Sequence, residues 1–161
     1  MELELTASDA DIAAVTEQLG RRPRSKFKVV VRDADGRPVV IMNAPFLEDG
    51  TPMPTLYWLT GEELIKKVGH LEAAGGVDQA EAAVDPEALQ AAHDRYAAER
   101  SALIPEGYAG PLPTDGVAGT RTGVKCLHAH YAYYLAGGDD PVGEWVGRQL
   151  RQTLPRHKDD A

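Results

Sequence analysis

The sequence predicts an α+β fold, in which about five helices pack against a small three-stranded antiparallel sheet. Three short β-prone segments at 26–32, 37–42 and 55–59 follow one another without an intervening helix. Strands joined by such short connections cannot be parallel, so the sheet is antiparallel. Helical periodicity precedes and follows these segments, which makes the class α+β. The 161 residues suffice for one core and not for two, so we expect a single domain over 1–161.

The first elements are a helix and a β-hairpin. Apolar residues recur at helical spacing over 9–19, after Ser8 or Asp9 as a capping residue. The first strand then alternates apolar with basic side chains, as a strand with one buried face does. An Asp-Ala-Asp-Gly turn at 33–36 joins it to the second strand. Residues 43–54 contain three prolines, so we expect an ordered loop before the third strand.

The second half of the chain is predicted to be helical. Capping signals at Thr60 and Asp85 start two of its helices. Helices are predicted at 60–74, 86–104, 124–136 and 141–152. Residues 105–122 are rich in proline and glycine, and a loop of that length is either functional or mobile. The core is expected over about 9–152, with a frayed tail at 153–161.

Composition excludes several classes of protein. With 43% hydrophobic and 26% charged residues, the chain is globular and not disordered. No apolar run approaches the 18 residues of a membrane span. The chain starts with acidic residues where a secretory signal would start with basic ones, and a single cysteine excludes a disulfide framework. We therefore expect a cytoplasmic protein.

The net charge of −8 is unevenly distributed. Residues 21–32 contain six basic side chains and no acidic one, whereas the rest of the chain carries 11 basic against 25 acidic residues. Generic nucleic-acid binding is not expected, because neutralising phosphates supplies most of the affinity in such complexes. A local anion-binding site is compatible with this pattern, since a small basic patch can focus a field.

The densest group of reactive side chains is Lys-Cys-Leu-His-Ala-His at 125–130. On a strand, Cys126, His128 and His130 would share one face and could bind zinc. On a helix, Cys126 and His130 stack at i, i+4, while His128 points away onto an apolar stripe. The alanine content and the Gly-Gly that follows favour a helix. We therefore expect no metal site, with Cys126 and His130 as the alternative pair.

Two interpretations of the same run stay open. Cys126 is a candidate nucleophile and His128 a candidate acid or base, and a helix N-terminus there would favour a thiolate or a bound anion. Alternatively, Cys126 is a small buried apolar residue and His128 a core histidine with backbone or carboxylate partners. His93 lies alone on a predicted helix and is expected at the surface.

Three motifs resemble the DUF501 family, a bacterial domain of unknown function found notably in actinobacteria. They are LGRRPR at 19–24, APFLEDGTPMPTLYWLT at 44–60 and GVKCLHAHYAYYLAGGDDPVG at 123–143. The resemblance extends from about Leu19 to Trp145. It implies no activity, although some members carry a septum-formation label.

The sequence pattern of the family that the chain resembles centres on the Lys-Cys-Leu-His run, 125–128, with apolar residues tolerated at the position of His130. Some relatives have extra cysteines in the hairpin and before the second helix, where this chain has none, which argues against a cysteine-rich metal site. It favours a cationic pocket formed by Lys125, Cys126 and His128 with Arg22 and Arg24, and we expect the loop at 44–54 to roof it. A phosphate or carboxylate group would suit such a pocket.

Three functional hypotheses follow. The first is a binding module for an anionic small molecule or a phosphorylated partner, with Arg22, Arg24, Lys125 and His128 as ligand-binding residues. The second is an enzyme that uses Cys126 or His128 in acid–base or nucleophilic chemistry. The third is a structural partner in a cell-division or envelope assembly. The sequence names no cofactor.

Overall fold

A computed structural model describes residues 5–153; the predicted frayed tail lies outside the described residues from 154 onward. The elements are α1 Asp9–Leu19, β1 Ser25–Arg32, β2 Pro38–Leu47, β3 Tyr57–Leu59, α2 Glu62–Ala73, α3 Gly76–Ala83, α4 Pro86–Ser101, α5 Leu127–Leu135 and α6 Pro141–Thr153, with a 3-10 turn at Val117–Gly119. The three strands form one antiparallel sheet in the order β1-β2-β3. The predicted α+β class with a three-stranded antiparallel sheet is therefore confirmed.

One helix was not predicted. Gly75 takes a left-handed conformation, with φ of 89°, which ends α2. The chain then turns so tightly that a Cβ on Gly76 would lie 2.5 Å from the carbonyl oxygen of Leu71. The alanine-rich segment beyond it forms α3 and buries Ala80 in the core. The described residues therefore contain six α-helices where about five were expected.

The second strand is longer than predicted. The expected loop begins at residue 43, yet β2 continues to Leu47. Ser25 at the start of β1 pairs with Leu47, and the register between the two strands shifts after Ser25, as at a β-bulge. Because of the bulge, the strand continues through Pro45. The loop that was expected from residue 43 therefore begins only after Leu47, with a turn.

The sheet separates two apolar layers. On one face, Val15 of α1 packs with Phe27 and Ile41. On the other face, Tyr57 and Leu59 join the main core, which α5 and α6 also build. Trp58 between them faces the α1 side, as alternation along a strand requires.

Three polar side chains of α4 are buried and bind the backbone of neighbouring segments. The hydroxyl of Tyr96 accepts hydrogen bonds from the backbone N–H groups of Leu56 and Tyr57. Arg100 donates to two carbonyl oxygens, and His93 bonds to two backbone groups. His93 is 2% exposed, so the expectation of a surface histidine was wrong. These contacts attach the segment after α4 to the body of the protein.

The fifth helix starts later than predicted. It begins at Leu127, and Cys126 before it has an extended backbone with φ of −149° and ψ of 123°. The first helical N–H, that of Leu127, is bound by the carboxylate of Glu72 from α2. This difference of three residues changes which side chains meet around Cys126. Within the described residues, no helix is long and apolar enough to cross a membrane.

Candidate functional site: a cysteine, a histidine and a glutamate beside a cavity

Three reactive side chains meet at the start of α5. The Sγ atom of Cys126 lies 3.9 Å from Nδ1 of His128, and that Nδ1 lies 3.1 Å from Oε1 of Glu72. One ligand atom from each of the three residues falls within 4.8 Å of the other two. We call this group the Cys–His–Glu cluster. All three residues are half-buried, so the cluster is sheltered and still reachable from solvent.

The ring of His128 has a fixed orientation. Its Nε2 lies 3.1 Å from the carbonyl oxygen of Ile65, which can only accept, so Nε2 carries a hydrogen. The contact with Cys126 raises the pKa of His128 to about 9, and the Ile65 carbonyl and the charge of Glu72 act in the same direction against burial. Nδ1 therefore faces both the thiol and the carboxylate.

Glu72 has two functions in this arrangement. Its Oε2 accepts the backbone N–H of Leu127 at 2.9 Å, so α2 supplies the cap that Cys126 does not supply itself. Its Oε1 faces His128. A carboxylate at a helix N-terminus is stabilised by the helix dipole, which fixes Glu72 next to the histidine.

A cavity of about 410 Å³ opens beside the cluster at β3. We call it the edge cavity. Its lining includes Cys126 and His128 near the start of α5, and Leu19 and Arg21 at and just beyond the end of α1. Residues of β3 and of the segment before it, including Tyr57 and Trp58, also line it. All three motifs of the family resemblance, 19–24, 44–60 and 123–143, therefore contribute to its walls.

The predicted cationic residues do not meet in this cavity. Arg22 lines a separate cavity of about 200 Å³ next to Phe27. Arg24 is exposed and pairs with Asp49 at 3.5 Å. Lys125 is exposed and does not line the edge cavity, nor does any residue of 44–54. Of the four predicted ligand-binding residues, the structure brings only His128 to it.

The alternative metal pair, Cys126 and His130, is not formed. His130 is fully buried, and its Nδ1 bonds to Oδ2 of Asp140 at 2.6 Å. Asp140 in turn accepts the N–H groups of Val142 and Gly143 at the start of α6. The prediction assumed a helix through Cys126, and the extended backbone there turns the thiol toward His128 instead.

Sequence reasoning missed two residues. Glu72 lies 55 residues from the helix that it caps, and no spacing rule connects them. Arg21 was counted in the basic segment 21–32 but was not chosen as a ligand-binding residue; the motif has three arginines in four positions, and the sequence does not distinguish them. Its place just after Gly20, which ends α1, is the signal that was available.

The arrangement has two chemical uses. Thiolate, imidazole and carboxylate are donors that bind zinc-like cations. A thiol next to an imidazole whose other nitrogen is held by a backbone carbonyl also matches the pattern of an activated nucleophile. In both cases a molecule in the edge cavity would lie next to the reactive atoms.

Residues 29–148 match the model of a family described as protein of unknown function, DUF501. No curated protein and no solved structure matches the chain.

Proposed function

Since the chain belongs to the DUF501 family, which carries no assigned activity, we propose from geometry that it binds a small anionic molecule in the edge cavity. The anionic group, a phosphate or carboxylate, pairs with Arg21. The apolar body of the molecule lies against Trp58 and Leu59. Cys126 and His128, which also line the cavity, contact another part of the molecule.

The observation that carries this proposal is the state of Arg21. In the part of the chain that the structure describes, three other arginines of the N-terminal half have acidic partners: Arg24 with Asp49, Arg32 with Asp11 and Arg37 with Glu62. Arg21 and Arg22 have no acidic partner among the described residues, and of these two only Arg21 lines the edge cavity. An arginine presents a planar fork of donors that matches carboxylate and phosphate oxygens.

The chemistry of the walls limits the ligand. Leu19, Trp58, Leu59 and Ile65 make much of the lining apolar. Thr55 and Arg21 add few polar groups, as in small-molecule sites where polar groups orient an otherwise apolar ligand. A bare inorganic ion would leave most of the cavity empty. We therefore infer a ligand that joins an anionic group to an aromatic or aliphatic body.

Two further points support binding over a purely structural role. The remainder of the chain is acidic, so a cationic cavity would concentrate anions locally. A structural partner in an assembly would favour a fully packed region around Cys126 and His128, whereas an open cavity lies there. We expect this activity in the cytoplasm, where a single free cysteine stays reduced.

The test is a thermal-shift panel of phosphate and carboxylate compounds with aromatic or aliphatic bodies. We expect at least one compound to raise the melting temperature of the wild type and to lose most of that effect in Arg21→Ala. Arg22→Ala is the matched control, because it removes the same charge from the neighbouring position and from a different cavity. Equal losses in both variants would contradict the proposal.

Catalysis by Cys126 and His128 is the second candidate function. The 3.9 Å separation of Sγ and Nδ1, next to the edge cavity, favours it. A substrate bound by Arg21 would present its reacting end to the thiol. Incubation of the protein with activated esters that keep a separate phosphate or carboxylate group, followed by mass spectrometry, would detect the acyl group on Sγ of Cys126 after release of the alcohol. No adduct on wild type, or an adduct that survives Cys126→Ser, would exclude this candidate.

A further inference from the structure

We propose that Glu72, Cys126 and His128 bind one divalent cation of the zinc class. The donors are Oε1 of Glu72, Sγ of Cys126 and Nδ1 of His128. Thiolate and imidazole together select zinc-like ions over magnesium or calcium, which prefer oxygen alone. No sequence spacing indicated this set, because its carboxylate comes from α2 and the other two donors from the start of α5.

Two of the three distances between donor atoms are close to those around such an ion, and the third, between Cys126 and Glu72, is within 4.8 Å. Around a tetrahedral zinc, donor atoms are separated by about 3.4–3.6 Å, given the usual zinc–ligand bond lengths. Here Nδ1 and Oε1 lie 3.1 Å apart, and Sγ and Nδ1 lie 3.9 Å apart. Shifts of a few tenths of an ångström bring both distances into the tetrahedral range. On binding, any hydrogen on Sγ or Nδ1 leaves to solvent, because only deprotonated donors coordinate.

The outer contacts of the donors are those of a metal site. The Nε2–H group of His128 donates to the carbonyl oxygen of Ile65, which leaves Nδ1 free to coordinate. The second carboxylate oxygen of Glu72 is held by the N–H of Leu127, which leaves Oε1 facing the other donors. Both ligands are thus oriented by backbone groups before any ion arrives.

Three protein donors leave a fourth position open, as in catalytic zinc sites. Cys126 and His128 line the edge cavity and Glu72 does not, so the open position faces the cavity. An anionic group bound there would complete the coordination, and this step alone rests on the proposed function. Binding of the cation itself does not depend on it.

The test uses full-length, tag-free protein stripped with a chelator and titrated with Co²⁺, a spectroscopic substitute for zinc. We expect one Co²⁺ per chain, with a thiolate-to-cobalt charge-transfer absorption and the visible bands of a tetrahedral ion. Cys126→Ser should abolish the charge-transfer band. Glu72→Gln and His128→Gln should weaken binding by more than the roughly 10–100-fold typical of losing an outer-shell partner. His70→Gln, an exposed histidine of α2, is the matched control and should bind as the wild type does.

A second measurement uses the wild type alone, so it does not depend on whether the variants fold. In the wild type, Zn²⁺ should slow alkylation of Cys126, and the chelator should restore its rate. A thiol that is alkylated equally fast with and without Zn²⁺, or Co²⁺ uptake without the charge-transfer band, would overturn the proposal. Arg21→Ala should leave Co²⁺ binding unchanged while it weakens binding of the anionic ligand. The failure of one proposal is therefore distinguishable from the failure of the other.

Discussion

Arg100 is a buried charge that connects three segments of the chain. It is 2% exposed, and its guanidinium donates to the carbonyl oxygens of Pro54 at 2.8 Å and of Asp115 at 2.6 Å. Removing the donors leaves two carbonyls without partners, and an unsatisfied buried group costs about 1–3 kcal/mol.

We therefore expect Arg100→Met to lower the free energy of unfolding by about 3 kcal/mol. Arg95→Met is the control, since Arg95 is exposed and pairs with Asp139 at the surface, where such pairs contribute about 0–1 kcal/mol. Urea denaturation of both variants measures the difference. Equal losses would show that Arg100 stabilises no more than a surface arginine.

His93 is expected to make stability depend on pH. Its Nδ1 accepts the N–H of Val117 and its Nε2 donates to the carbonyl of Gly123, so the ring is neutral. Burial lowers its pKa below the usual 6.5, with His130 acting in the same direction and the Gly123 carbonyl, Asp140 and Asp94 opposing. In the unfolded chain the ring takes up a proton first, so its contribution is present above pH 6.5 and is lost as the pH falls below it.

The free energy of unfolding should therefore fall on acidification below about pH 6.5, and His93→Gln should reduce that slope. His70→Gln, which changes an exposed histidine, should keep the wild-type slope. Chemical denaturation at several pH values gives the slopes. A His93→Gln variant with the wild-type slope would contradict this account.

These buried polar residues show where sequence reasoning reaches its limit. The pattern of α4 marks His93 and Arg100 as polar, and polar residues on a helix are usually exposed. Their burial depends on carbonyl and N–H groups from distant segments that need partners. No spacing within the helix indicates those partners, so the expectation of a surface His93 was wrong.

Two glycines test how closely the helices pack. Gly143 lies where α6 crosses α5, and a Cβ there would overlap the Cβ of Tyr134 and lie 2.5 Å from the carbonyl oxygen of His130. Gly69 lies inside α2, and no atom comes within 4 Å of the position that a methyl group on it would occupy. The same substitution should therefore have opposite effects at the two sites.

We expect Gly143→Ala to destabilise by about 1–3 kcal/mol through overpacking. Gly69→Ala should stabilise by about 0.5–1 kcal/mol, because alanine loses less backbone freedom in a helix. Thermal unfolding of the two variants measures both signs. A stable Gly143→Ala protein would mean that the crossing of the two helices is looser than the structure indicates.

Helices and strands were predictable because their periodicity is local. The strand segments near 26–32 and 37–42 form the hairpin, and the helix from Pro86 carries the expected Asp85 cap. The start of α5 was not predictable, because Glu72 from another helix caps it. That single boundary decides the site, since an extended Cys126 meets His128 and a helical one would face His130.

The edge cavity is formed by residues that lie far apart in the sequence and meet only in the folded protein. The end of α1, the strand β3, the helix α2, the 3-10 turn and the start of α5 each contribute lining residues. The three motifs near 19–24, 44–60 and 123–143 could be found in the sequence, and the structure explains why they occur together. Which arginine of the first motif faces the cavity is set by the left-handed Gly20, whose φ is 75°, and by the chain direction after it.

The binding claim can be tested directly through the fluorescence of Trp58. The chain has two tryptophans, and Trp145 belongs to the core, so Trp145→Phe leaves Trp58 in the edge cavity as the sole reporter. The probe is phenyl phosphate, which joins an aromatic ring to an anionic group. We predict a saturable change in emission, with a Kd raised about tenfold or more by Arg21→Ala, since a charge-assisted hydrogen bond contributes about 1.5–3 kcal/mol. Arg22→Ala should leave the Kd within about twofold. No saturable change, or equal weakening by both variants, would contradict the assignment of the edge cavity as the anion-binding site.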